Sequence, residues 1–306
     1  MRLATVNNGT SDILVADLGE GHLLDLSAAA GGTEEALFSM QALIEGGEEA
    51  LARARELVEI APHPARIASA DVSFRAPLPR PVQMRDCLVF EEHLINSFER
   101  ATQMTGKEFA IPDIWYKQPI YYKANRFSVI GDGQDVRWPA YSKQMDFELE
   151  LAIVIGTGGC DISAEDAPKH IFGYTIFNDM SARDAQMLEM PGQLGPAKGK
   201  DFDTGNILGP FIVTADEIAH PVALDMEAKV NGEVWGGGNS GAMHHSFADI
   251  IAHISASETL HPGEVIGSGT VGTGCGLELG RFLEDGDVIE LTVERIGTLK
   301  NRIVKS

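Results

Sequence analysis

The chain reads as a β-rich α+β protein in which a smaller N-terminal unit precedes a larger, β-dominated one. Three observations predict this. Short apolar runs bounded by glycine, asparagine and aspartate recur along the chain. Helical spacing is confined to a few stretches. Five prolines crowd residues 62–81 and separate the two parts.

Residues 2–6, 13–17 and 22–26 are strand-like and are divided by Asn7-Asn8-Gly9 and Gly19-Glu20-Gly21, which makes a small meander. Over 33–60, Leu37, Met40 and Ile44, then Leu51, Ala54 and Val58, recur at helical spacing on either side of Gly46-Gly47, so two successive helices are expected. Pro62, Pro64, Pro77, Pro79 and Pro81 exclude a regular helix and force extended chain. The boundary is placed there, with 1–75 a small α+β domain and 76–306 the larger one. Beyond it, strands are expected at 147–155, 172–177, 207–213, 224–230, 265–266 and 288–296. Asn231-Gly232 marks a type I′ hairpin turn. Helices are expected over 90–104 and 247–255.

Forty-five acidic against 24 basic residues leave a formal charge of −21, which argues against nucleic acid or an anionic membrane as a partner. No signal-like segment and no long apolar run stands in the 306 residues, so a cytoplasmic, membrane-free protein is expected. Cys87, Cys160 and Cys275 show no CxxC spacing; each is read as a small hydrophobe in a reducing compartment.

Three motifs mislead. Residues 267–272 match GxGxxG, but Thr273-Gly274-Cys275-Gly276 is too glycine-rich to open a helix, and too little chain remains for a dinucleotide fold. Residues 197–201 resemble a phosphate loop but carry Asp201 where Ser or Thr must reach magnesium. His244-His245 would point to opposite faces of a strand and has no third ligand at useful spacing, so a polar loop is the simpler reading.

The informative run begins at Asp146. Strand alternation puts Glu148 and Glu150 on one face, about 6.6 Å apart, with Phe147, Leu149 and Leu151 on the other. If that strand is central, two buried like charges force one carboxyl neutral unless a cation sits between them, and a hard divalent ion is the simplest remedy. If it is an edge strand, the face is merely solvated. A second apolar strand ends on Asn178-Asp179, a place from which a carboxylate can complete an all-oxygen site. Ser181 stands where it can cap the next segment, and Arg183, Gln186 and Lys200 are nearby polar donors.

FELELAIVIG, GYTIFNDMSARDAQ, GPAKGKDFDTGNILGPFIV, HPGEVIGSGTVGTG and LEDGDVIEL, in that order over residues 86–297, resemble the fumarylacetoacetate hydrolase family. The resemblance implies a mixed β-sandwich roll carrying the active site behind a smaller N-terminal domain, and a homodimer. It implies Glu148, Glu150 and Asp179 as metal ligands, with Asp86, seven residues before His93, as a fourth. It implies His93 as general base, oriented by Glu278. Arg183, Gln186 and Lys200 become oxyanion and leaving-group donors, with Lys198 competing with Lys200. Tyr122, or equally Tyr121, and Thr270 of the SGT motif become substrate contacts. Met190 stands where the animal hydrolase places a tyrosine, and methionine cannot donate a hydrogen bond, so the distal half of the substrate differs.

The function implied is that of a Mg²⁺-dependent hydrolase, with Mn²⁺ or Ca²⁺ as alternatives, cleaving a carbon–carbon bond in a β-diketone or acylpyruvate. Such a small dicarbonyl acid would arise in aromatic catabolism. The rival is a hydratase, decarboxylase or isomerase of a 2-oxo acid on the same site; a non-catalytic metal-binding module ranks below both.

Overall fold

The computed structural model describes residues 1–305. Among them, twelve strands form one sheet and five another. From one edge the larger sheet runs Arg66–Ala68, His22–Asp25, Asp12–Gly19, Arg2–Asn7, Asn206–Thr214, Ile171–Asp179, Leu149–Ile155, Val265–Gly267, Met84–Cys87 and Tyr121–Lys123. The N-terminal meander therefore continues the sheet of the rest of the chain, joined where Leu3 pairs with Ile212. The expected boundary near residue 75 falls just after Ser73–Phe74, which pairs with Arg2–Asn7.

Leu149–Ile155 is hydrogen-bonded on both sides and wholly buried, as an apolar run of this length requires. Leu149, Leu151, Ile153 and Ile155 enter one core, shared with Phe247, Ile250 and Ile254 of the helix Phe247–Ser255. Ala152 and Val154 enter the other, shared with Leu43, Leu51 and Leu57 of the helices Met40–Glu45 and Gly47–Ile60. Alternation thus directs Glu148 and Glu150 to the second face.

The smaller sheet runs Glu233–Asn239, Asp225–Val230, Val288–Val293, Gly297–Lys305 and Asp135–Trp138. Asn231 and Gly232 both take positive φ, +52° and +80°, as a type I′ turn demands. The run expected over 288–296 stops at Val293, because Arg295 adopts a φ of +66° and turns the chain into Gly297–Lys305. Ser181 does not cap the helix Arg183–Glu189; its hydroxyl donates to the Asp179 carbonyl, and Ala182 stands at the N-cap without a side-chain bond. The helix expected over 90–104 is Glu91–Thr105, closed by Gly106 at a φ of +70°. No helix among the described residues is long and apolar enough to cross a membrane.

Candidate active site

Sheet register assembles the acidic centre. Asp179 ends its strand beside Leu149–Ile155, whose Ala152 pairs with Gly267, and Gly267 pairs in parallel with Asp86. Asp86, Glu150 and Asp179 each offer an oxygen within 4.8 Å of the others, and all three are buried. Gly267 makes room for them: a Cβ there would lie 2.5 Å from Asp86 Oδ1 and 2.7 Å from Glu150 Oε2. The first glycine of the misleading GxGxxG is thus a gap that carboxylates fill.

Asp86 Oδ1, Glu150 Oε1 and Asp179 Oδ1 are buried and find no hydrogen-bond partner among the described residues. Unpaired buried carboxylate oxygens are costly. Burial, reinforced by the neighbouring carboxylates, holds Asp86 and Glu150 well above the usual carboxylate range. Burial pushes Asp179 up to about 6, although Lys200 works against it. Three buried carboxylates that converge, each with one oxygen left unpartnered, fit a hard divalent cation, and these residues would hold it.

The remaining oxygens are engaged. Glu150 Oε2 accepts the Gly269 N–H at 3.0 Å. Asp179 Oδ2 accepts from the Tyr122 hydroxyl and pairs with Lys200 Nζ, each at 2.6 Å. Glu148, expected among the ligands, faces two cations, with Oε2 2.6 Å from Lys200 Nζ and Oε1 2.7 Å from Arg183. Burial opposes its ionisation, but Lys200 and Arg183 prevail and hold it well below the usual carboxylate range. Lys200 in turn stays above its ordinary value against burial, through Asp179 and Glu148.

His93 sits in the first turn of Glu91–Thr105, with Nδ1 2.8 Å from Glu278 Oε1. Glu278 Oε2 accepts from Asn96 Nδ2 at 2.9 Å and from the Thr273 N–H at 2.7 Å, so the carboxylate is anchored on its far side. With Glu278 ionised, Nδ1 carries the proton and Nε2 is left as the basic nitrogen.

Asp146 joins the two halves. It accepts from the Gly276 and Leu277 N–H groups at the start of the short helix bearing Glu278, and from Arg183 Nε at 2.8 Å. Arg183 also donates to Gln186 at 3.0 Å. Sequence reasoning gave Asp146 no role, because Gly276, Leu277 and Arg183, which it holds, lie far along the chain and Met145–Asp146 forms its own short strand. Asp146→Asn should cost about 1.5–3 kcal/mol of stability, since it loses charge-assisted bonds to Arg183 and two N–H groups; urea unfolding measures it.

Of the paired alternatives, the structure brings Tyr122 and Lys200 to the carboxylates. Tyr121 instead packs edge-on against His253, and Lys198 lies over the Tyr141 ring. Thr270 is buried next to Gly269. His244 and His245 stack around Trp115, and His245 meets the Trp115 carbonyl at 2.9 Å. Met190 is half-exposed just past the helix Arg183–Glu189.

This geometry has two testable results. Gly267→Ala drives a methyl into Asp86 and Glu150, so Mn²⁺ affinity measured by calorimetry should fall about tenfold or more. Without a cation, the folded chain binds more protons at Asp86, Glu150 and Asp179 than the unfolded chain does. Its stability therefore falls as pH rises from about 4 through the elevated folded values. A thermal scan of chelator-treated protein should show Tm dropping between about pH 5 and 7, with Mg²⁺ at pH 7 restoring it. A flat profile would contradict the cluster.

A family model described as fumarylacetoacetate (FAA) hydrolase C-terminal matches residues 92–304. Oxaloacetate tautomerase YisK of Bacillus subtilis (strain 168) is 34% identical over 298 residues, 92% of each chain. Among solved structures, 5-carboxymethyl-2-hydroxymuconate delta-isomerase of Mycobacterium smegmatis superposes with a TM-score of 0.72 at 26% identity, covering all of both chains. Maleylpyruvate hydrolase of Sphingobium sp. SYK-6, in complex with manganese(II) and pyruvate, gives 0.76 at 26%, again over all of both chains.

Proposed function

The chain belongs to the fumarylacetoacetate hydrolase family, and from that premise we propose that it is a divalent-cation-dependent keto–enol tautomerase of an oxaloacetate-type 2-oxo acid. One observation carries the reading: a histidine whose Nδ1 is paired with a carboxylate lies near enough to Glu148 to favour its ionisation, on the strand face that also brings Glu150 into the buried carboxylate set. Likeness to a tautomerase over nearly the whole chain supports it.

A bound divalent ion, Mg²⁺ or Mn²⁺, supplies polarisation of the adjacent carbonyl and carboxylate oxygens. His93 Nε2 takes the proton from the carbon between the two carbonyl groups, and Glu278 stabilises the resulting imidazolium through Nδ1–H. The proton is returned to the enol oxygen; in the reverse direction Nε2 takes the enol O–H proton and delivers it to the carbon, so no group is lost and no water consumed. Lys200 and Arg183 set positive charge beside the developing enolate and keep Glu148 ionised. Tyr122 and Thr270 would contact the substrate.

Carbon–carbon hydrolysis is the second reading, favoured by the same His93–Glu278 pair, which could activate water against an acylpyruvate. The homodimer belongs to the same proposal and is checked by size-exclusion chromatography with light scattering.

The deciding experiment gives Mg²⁺-loaded protein oxaloacetate freshly dissolved as its enol, then a panel of acylpyruvates in ¹⁸O water. Decay of enol absorbance well above the buffer rate, with acylpyruvates intact, is the expected result. Acylpyruvate cleavage with solvent oxygen in a new carboxylate, and no acceleration of enol decay, would replace the tautomerase by the hydrolase.

A further inference from the structure

Cys275 is a side chain beside the His93–Glu278 pair to which the proposed reaction assigns no task. It is fully buried, with Sγ 3.4 Å from Glu278 Oε1 and 4.0 Å from His93 Nδ1, while those two stand 2.8 Å apart. One nitrogen, one sulfur and one oxygen thus lie within 4.8 Å of one another, apart from the three-carboxylate set. We propose that His93 Nδ1, Cys275 Sγ and Glu278 Oε1 form a second metal site, for a thiophilic divalent cation such as zinc, whose occupation silences the base.

The dimensions suit it. Zinc bonds to nitrogen, oxygen and thiolate put tetrahedral ligands about 3.4–3.6 Å apart, and the three observed separations bracket that range. Glu278 can turn Oε1 from Nδ1 to an ion without losing its anchors, because Asn96 and the Thr273 N–H hold Oε2. Ligand character sorts the ions: the all-oxygen set takes magnesium or manganese, whereas mixed nitrogen, sulfur and oxygen donors select zinc.

Occupation has a definite chemical consequence. The Cys275 thiol releases one proton to solvent as the thiolate forms. The neutral imidazole keeps its single proton but must carry it on Nε2, because Nδ1 now binds the ion. Nε2 then has no lone pair with which to accept the substrate's proton. This consequence rests on His93 being the base; the existence of the site does not.

The test uses Mg²⁺-saturated Cys160→Ser protein, which removes the exposed thiol, and cobalt(II) as the spectroscopic probe for zinc. A thiolate-to-cobalt charge-transfer band is expected, absent in both Cys275→Ser and Cys275→Ala. Zinc should inhibit turnover, and either substitution should leave zinc-free turnover intact while raising the inhibitory concentration about tenfold or more. Loss of even an outer-shell partner has that effect on a metal site. No band, or a band that survives both substitutions, overturns the site. A Cys275-dependent band with turnover untouched by saturating zinc keeps the site and overturns His93 as the base.

Discussion

His93→Ala should lower tautomerase turnover by about 10²–10⁴, the usual span for a lost general base, while Mn²⁺ affinity stays unchanged. The separation is expected because His93 rises from the helix Glu91–Thr105, whereas Asp86, Glu150 and Asp179 are carried by strands of the sheet. Steady-state kinetics on enolic oxaloacetate, with calorimetry on the same samples, checks both halves. The loss should fall in kcat more than in KM, since the imidazole acts on the proton in flight and substrate oxygens are held elsewhere. Turnover near that of the unsubstituted protein would remove His93 from the chemistry and leave proton transfer to solvent.

Chelation should abolish turnover altogether, and Mg²⁺ or Mn²⁺ should restore it. Glu150→Gln is the internal counterpart: an amide oxygen is a weaker ligand than a carboxylate for a hard ion, so saturation should require far more metal. The substitution also removes a carboxyl that burial, with Asp86 and Asp179, holds well above its usual range, so the metal-free variant should melt no lower than the metal-free parent. That opposed pair of effects marks a ligand and would not arise from a residue that only supports the fold. Full activity in rigorously metal-free protein would dismiss the cation from the reaction.

Much of this site is legible in the sequence. The alternation over 147–155 places Glu148 and Glu150 on one face because a strand's period is two whatever surrounds it. The apolar run ending at Asp179 shows where a carboxylate emerges. Local pattern carries no information on neighbours far along the chain, and there it runs out. Asp86 reaches the cluster only because Met84–Cys87 lies parallel to Val265–Gly267, about 180 residues later. The glycines at 267 and 269 read as a nucleotide motif, but their meaning is steric and electrostatic: one leaves space and the other donates an N–H to Glu150. Glu148 looks equivalent to Glu150 until the segment bearing Arg183 and Lys200 folds back over it. Charge complementarity of that kind depends on tertiary approach, which no spacing encodes.

The pairing of Leu3 with Ile212 also sets a timetable for synthesis. At 5–20 residues per second, the ribosome needs about 10–40 s to make the intervening 200-odd residues. Throughout that interval the edge of Arg2–Asn7 that will receive Asn206–Thr214 waits as open ladder, with Leu3, Ala4 and Val6 ready for burial. Closure over so long a loop favours slow folding, and an unsealed apolar edge invites pairing between nascent chains. Production of this protein should therefore respond strongly to lowered temperature and to holdase chaperones, and the soluble fraction at two induction temperatures measures that dependence.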